Sequence, residues 1–236
     1  MRGGEGDQAA LGASAPGHGV GSPVPAVVRF RPIGRVLWRR SVRAQLSRFH
    51  RVEELLARRS PRVATDPGFA QAAVALICVP DPDSILLIRR SERPGDPWSG
   101  QMGLPGGRRG DSDHDLLATA VRETEEEVGI RLSSEDLVGA LDDLTPRTVL
   151  LPRIVVRPYV FRLPRRADLR HSPEVAATAW VGLDHLLGPG IYGDWDVEAG
   201  GRRMQFPGYR LSEGVVWGMT ERILTPFLRA LADQTY

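Results

Sequence analysis

Residues 106–130 read GGRRGDSDHDLLATAVRETEEEVGI, and the rest of the chain is best understood outward from them. At 100° per residue the second half of this stretch is an amphipathic helix, expected over Asp115 to Val128. Leu117, Ala120, Val121, Thr124 and Val128 fall on one side and should pack on a sheet. Glu123, Glu126 and Glu127 stand at i, i+3 and i+4, so their carboxylates converge on one neighbouring face within a single turn. Glu125 points elsewhere and reads as solvated. Asp111, Ser112 and Asp113 are suitable N-caps, and Gly129 is a natural stop. Three like charges on one turn repel by about 0.2–0.5 kcal/mol per exposed pair. A hard divalent cation with oxygen ligands removes that conflict. A run of glutamates alone is usually a solvated face. This one is set apart by the double glycine upstream, the arginine ahead of the first glutamate and the glycine that ends the helix.

On either side the pattern is mixed. Ala72–Val79 and Ile85–Arg89 read as strands joined by the turn Pro80-Asp81-Pro82-Asp83. A Gly/Pro-rich loop, RPGDPWSG, leads to a short strand at Gln101–Leu104 and a Pro-Gly-Gly break. Beyond the helix, strands are expected near Leu137–Leu141, Ile154–Phe161 and Ala176–Val181. A short helix should start near Leu183, and a long one should run from Val215 to Ala232. Helices interspersed with strands of mixed length argue for an α+β fold with a mixed sheet.

The 236 residues are 42 % hydrophobic and 25 % charged, as in a globular protein able to bury a core. The longest apolar run, Ala72–Val79, is far short of the ~20 residues that span a bilayer, and no secretory signal is evident. The single cysteine, Cys78, lies inside that run and reads as a small core residue. These features lead us to expect a cytoplasmic protein. The net charge of +2 hides an asymmetry: residues 1–65 hold 12 arginines against 4 acids, the remainder 19 against 25, and there is no lysine. Residues 1–25, rich in Gly, Ala, Pro and Ser, read as a disordered tail. Residues 26–66 read as a basic extension. Within it Leu46, Phe49, Val52, Leu55 and Leu56 take helical spacing. An arginine-studded helix suits a nucleic acid or an anionic membrane, but without an RNA-binding motif the favoured reading is a helix packed on the domain with a solvated arginine face.

Arg122-Glu123-Thr124-Glu125-Glu126-Glu127-Val128-Gly129-Ile130 resembles the second half of the Nudix box, R-E-U-x-E-E-x-G-U with U aliphatic, and only Thr124 departs from it. Upstream, Gly107 lies 15 residues before Arg122 where the usual box has 14, and Asp113 or His114 stands near the usual first glutamate. The spacing from Gly107 to Asp113, with Thr119-Ala120 ahead of Arg122-Glu123, is similar to the coenzyme A pyrophosphatase branch. So are Arg90-Ser91, Gly100-Gln101 before Pro105-Gly106-Gly107, and Trp217-Gly218-Met219-Thr220 with Ile223-Leu224. That branch usually carries a Leu-Arg-x-His segment between the first two of these. Here Glu92–Ser99 is one residue longer and has no histidine.

The resemblance covers about residues 70–232 and implies, for a domain over residues 67–236, a Nudix-type α/β/α sandwich with a mixed β-sheet between helices. It implies metal-dependent hydrolysis of a phosphoanhydride bond in a nucleoside diphosphate derivative. Coenzyme A or an acyl-coenzyme A is the first candidate; ADP-ribose, NADH and dinucleoside polyphosphates are the alternatives, and a silent nucleotide- or RNA-binding module is the rival of another class. Mg²⁺ or Mn²⁺ would be held by Glu123, Glu126, Glu127 and the Gly107 carbonyl, with Arg122 orienting a glutamate. Glu126, Glu127 and Glu174 are candidate bases. Arg90, Trp98, Gln101 and Arg108 are candidate substrate contacts, Trp98 by stacking and Arg108, with Arg93 and Arg109, through pyrophosphate oxygens. The expected partner is a small molecule, not a membrane or a nucleic acid, and a homodimer is left open.

Overall fold

The apolar run becomes the central strand β1 (Ala70–Val79), which lies parallel to β6 (Ile154–Arg162) from Ala70↔Ile154 to Cys78↔Arg162. The computed structural model describes residues 48–148, 151–199 and 201–232. The expected tail over 1–25 and the first part of the basic extension, Leu46 included, lie outside the described residues. Strand β2 (Ser84–Arg90) pairs with β1 only beside the turn, at Cys78↔Ile85 and Val79↔Ser84, and then splays away. Two short strands fill the gap. β3 (Met102–Gly103) pairs with β2, and β4 (Gly106–Arg108) pairs with the first half of β1 through Ala72↔Arg108, Ala73↔Gly107 and Val74↔Gly106. β5 (Leu137–Ala140) borders β6, and β7 (Val175–Gly182) borders β2.

Both faces of this sheet are covered, which is why β1 is apolar at nearly every position. Ala73, Ala75, Ile77 and Val79 pack with Leu86, Ile88 and Phe161 under α2 (Leu116–Val128), through its Leu116, Ala120 and Val128. Leu76, Cys78, Ile85 and Leu87 face the other way. There they meet Phe49, Val52 and Leu56 of α1 (Phe49–Ala57) and Ile223, Leu224, Phe227 and Leu228 of α4 (Gly218–Ala232). Each fully buried Leu or Ile stabilises the fold by roughly 1.5–3 kcal/mol. The expected layering, a mixed sheet between helices, is the one observed. One member of the expected apolar stripe differs: Leu55 is 42 % exposed, since a nine-residue helix turns only Phe49, Val52 and Leu56 toward α4 and the sheet. Among the described residues no helix is long and apolar enough to cross a membrane.

Two readings need correction. The Pro-Gly-Gly segment is not a simple break, because Gly106–Arg108 hydrogen-bonds along the edge of β1 that β2 vacates. Nor does the last helix begin at Val215. After α3 (Leu183–Leu186) the chain forms an antiparallel sheet of β8 (Tyr192–Ala199), β9 (Arg202–Leu211) and β10 (Gly214–Trp217), and α4 starts at Gly218. Val215, Val216 and Trp217 suit a half-buried strand, and Trp217 stacks on Phe206 with centroids 4.9 Å apart.

Candidate active site

The helix α2 starts one residue after Asp115, whose side chain accepts from the Ala118 N–H at 2.8 Å. The cap is thus not Asp111, Ser112 or Asp113. Asp111 and Ser112 are exposed, and Asp113 is diverted inward because Arg122 claims it. Its Oδ1 accepts from Arg122 Nε at 2.9 Å and its Oδ2 from Arg122 Nη2 at 2.8 Å, from the Gly110 N–H at 2.8 Å and from Thr119 Oγ1 at 2.9 Å. The Arg122 hydrogen bond is the main reason the buried Asp113 carboxyl sits far below the ordinary carboxylate range. The same contact holds Arg122 protonated well beyond the usual guanidinium range.

Fixed on one side, Arg122 uses its other nitrogen on two glutamates. Nη1 donates to Glu123 Oε1 at 2.8 Å and to Glu126 Oε2 at 2.9 Å, while Nη2 also donates to the Arg108 carbonyl at 3.2 Å. A single side chain therefore ties the loop before α2 to two carboxylates of its last turns. Glu123 lies against the double glycine so closely that a Cβ on Gly107 would stand 2.4 Å from its Cδ. Burial raises the Glu123 pKa, against the pull of Arg122.

Glu127 takes a different course from its neighbours. It is 2 % exposed, and its Oε2 accepts from the Gly106 N–H at 2.8 Å. Gly106 admits this approach: its φ is +148°, and a Cβ there would lie 2.3 Å from the Ala73 carbonyl. Burial pushes the Glu127 carboxyl up to about 7, opposed mainly by that N–H and by Arg90. Arg90 Nη1 is 3.6 Å from Glu127 Oε1 and its Nη2 is 3.1 Å from Asp96 Oδ2, while its buried Nε has no hydrogen-bond partner among the described residues.

The three glutamates therefore share a corner but do not form a nest. Among the described residues no group of three His, Cys, Asp or Glu side chains is gathered to hold a metal ion. Like charges separate when each has a positive partner at hand, and here Arg122 takes Glu123 and Glu126 while the Gly106 N–H takes Glu127. The donor set nevertheless suits a hard divalent ion: carboxylate oxygens only, one of them buried with its charge poorly matched, beside a glycine that leaves room for Glu123.

Around this corner the remaining candidates divide. Glu174 belongs to it: its charge acts on both Glu123 and Glu127, and its Oε1 is 3.0 Å from Arg93 Nη2. Arg108 is exposed next to Gly107. Gln101 donates Nε2 to the Pro97 carbonyl at 3.1 Å and so closes its own loop. Trp98 packs against the cluster of Ala72, Ile154 and Val156, where its ring is partly accessible. Asp96, which anchors Arg90, is not among the candidates drawn from sequence. Asp113 is among them as a helix cap and by its spacing from Gly107, but not as the anchor of Arg122 that it proves to be.

A mixed sheet between helices, with a glutamate-rich turn docked on a double-glycine strand, is the framework of a Nudix-type hydrolase. The NUDIX domain model matches residues 69–199. The mitochondrial coenzyme A diphosphatase NUDT8 of Mus musculus is 30 % identical over 189 residues, covering 79 % of this chain and 89 % of that protein. The C14C4.10c protein of Schizosaccharomyces pombe is 38 % identical over 159 residues, 58 % of this chain and 48 % of that protein, so the match spans about half of this relative's length. In fold, the crystal structure of a MutT/nudix family protein from Enterococcus faecalis matches with a TM-score of 0.52 and 17 % identity, over 77 % of this chain and 68 % of that one. The chain belongs to the NUDIX family of hydrolases.

Proposed function

We propose that this chain hydrolyses a phosphoanhydride bond in a nucleoside diphosphate derivative, with coenzyme A or an acyl-coenzyme A as the leading substrate and Mg²⁺ or Mn²⁺ as cofactor. The observation that carries the reading is Glu127, a buried carboxylate on the double-glycine strand whose pKa is driven to about 7 and whose nearest cation, Arg90, stands 3.6 Å away. Together with Glu123, Glu126 and the Gly107 carbonyl it would hold the divalent ion. Bound there, such an ion supplies neutralisation of phosphate charge and a lowered pKa for water.

The chain supplies the rest. Arg122, anchored by Asp113, keeps Glu123 and Glu126 on one side of the corner. The Gly106 N–H fixes Glu127 against the strand. Glu126, Glu127 and Glu174 are the carboxylates of this corner that could take the proton of an attacking water. Arg90 and Arg108 would meet phosphate oxygens, Trp98 would offer a ring face to the base, and Gln101 shapes the loop that carries Trp98. The coenzyme A assignment is supported by the branch-like segments and by the name of the mouse relative. The missing histidine within Glu92–Ser99 favours a second reading, in which the substrate is ADP-ribose, NADH or a dinucleoside polyphosphate.

A panel of these compounds with Mg²⁺ or Mn²⁺ decides between them, with the products identifying the phosphorus attacked. Glu126→Gln should lower turnover at least ~100-fold without unfolding the protein, since the Glu126 side chain is 59 % exposed. Hydrolysis of ADP-ribose and none of coenzyme A ends the first reading. Absence of metal-dependent hydrolysis across the panel by a folded protein refutes both.

A further inference from the structure

On the face of the sheet away from α2, a small apolar platform adjoins the double-glycine strand. Its floor is Ala72, Ile154 and Val156, flanked by Val74, Trp98 and Met219. Residues directly opposite in an antiparallel pair share a face, so the exposed Arg108, opposite Ala72, stands on the platform side. Gly107, one residue earlier, has the position of its missing Cβ filled by Glu123 on the α2 side. The diphosphate corner and the platform are thus adjacent along one strand, on its two faces.

Charge on the platform side is unbalanced. Arg222 lies three residues after Met219 on α4, hence on the same side of that helix, and its Nη1 donates to the Thr145 carbonyl at 2.7 Å. That bond holds the loop carrying Arg147 against α4. Burial and then the like charge of Arg147 lower the Arg222 pKa. Elsewhere the arginines in the interior meet carboxylates: Arg122 with Asp113, Arg157 with Asp143, Arg90 with Asp96. Among the described residues Arg222 hydrogen-bonds only a neutral carbonyl, and neither it, Arg108 nor Arg147 forms an ion pair; Glu221, the one acid that acts on Arg222, gives its Oε1 to Tyr192 and Thr225. Two neighbouring guanidiniums against a single carboxylate that is engaged elsewhere, beside an aromatic ring and a methionine, suit an anionic group carried on a flat heterocycle.

We propose that Arg147 and Arg222 form a subsite for a phosphomonoester on the ribose of the bound nucleotide, with its base on the Trp98–Met219 platform. This rests on the hydrolase reading above and narrows its substrates to nucleotides bearing a third phosphate outside the scissile diphosphate.

The test is equilibrium binding to the full chain, without metal, of AMP, adenosine 2′,5′-bisphosphate and adenosine 3′,5′-bisphosphate, with hydrolysis followed separately. At least one bisphosphate should bind about tenfold or more tightly than AMP, the scale of one charge-assisted contact, and the comparison of the two shows which hydroxyl carries the phosphate. That ratio should fall toward one in Arg147→Ala and in Arg222→Gln, while Arg222→Lys should keep most of it. Arg147 is exposed, so its variant reports on binding even if the Arg222 variants prove unstable. Equal binding of all three nucleotides, or an undiminished ratio in Arg147→Ala, overturns the subsite. Hydrolysis without bisphosphate preference removes the subsite alone; preference without metal-dependent hydrolysis removes the hydrolase reading alone.

Discussion

Replacing Asp113 by asparagine tests whether one buried carboxylate organises the site. In the wild type four donors converge on it: Nε and Nη2 of Arg122, the Gly110 N–H and Thr119 Oγ1, at 2.8 to 2.9 Å. Its side chain is 4 % exposed, so solvent screens these contacts little. Breaking a buried ion pair by removing one partner costs about 3–5 kcal/mol, and asparagine, which keeps one accepting oxygen, should fall near ~3. For a chain of this length ~1 kcal/mol shifts the melting temperature by roughly 2–4 °C, so a fall of roughly 6–12 °C is expected. The difference should also depend on pH. Because the folded Asp113 pKa is depressed, chiefly by Arg122, its stabilisation is complete above the unfolded value of about 3.9 and drains away below it. Thermal melts of both proteins should therefore show a constant gap from pH 5 to 8 that narrows below pH 4. A gap under about 3 °C at pH 7, or one that does not narrow in acid, would refute the account. Turnover should drop as well, since Arg122 loses the anchor from which it holds Glu123 and Glu126.

Three further outcomes follow from the same corner. Glu127→Gln should make the metal-free protein more stable than wild type at pH 8, with the gap closing by pH 5. Burial raises the folded Glu127 pKa to about 7, so the wild type loses stability as pH rises from its unfolded value through 7. Adding Mg²⁺ or Mn²⁺ at pH 8 should raise the melting temperature of the wild type and not of this variant. Gly107→Ala would set a Cβ 2.4 Å from Glu123 Cδ, forcing that carboxylate aside; turnover should fall on the order of 100-fold while the melting temperature barely changes, as kinetics and calorimetry can show together. Glu174→Ala breaks a half-exposed pair with Arg93 worth under about 1 kcal/mol. A loss of turnover of about 100-fold at unchanged stability would assign Glu174 to proton transfer, and unchanged turnover would leave it as a surface ion pair.

Much of the scaffold could be read from local pattern, because its strands are continuous apolar runs and α2 has a clear apolar face ended by Gly129. The spacing of Glu123, Glu126 and Glu127 likewise placed three carboxylates in one corner. What the helical wheel could not show is that Glu127 turns inward. That depends on Gly106 lacking a Cβ and offering its N–H from another strand. Three cap-forming residues, Asp111 to Asp113, lie ahead of the true cap Asp115; none of them caps α2, and Asp113 is drawn inward by Arg122, nine residues beyond it. β4 has no strand propensity of its own, and its partners exist only because β2 splays from β1. The sheet of β8 to β10 is hard to read from sequence because in β8 the positions alternating with Asp194, Asp196 and Glu198 carry only two large apolar residues, Trp195 and Val197, between glycine and alanine.

The recognisable family segment ends at residue 199 and begins at 69, yet the sheet face bearing Leu76, Ile85 and Leu87 is roofed by α1, before that segment, and by α4, beyond it. The family segment is therefore smaller than the unit that can stand in water. A gene fragment trimmed to the matched span would leave an oily slab bare, and it should yield inclusion bodies where a fragment keeping both flanking helices yields tractable protein.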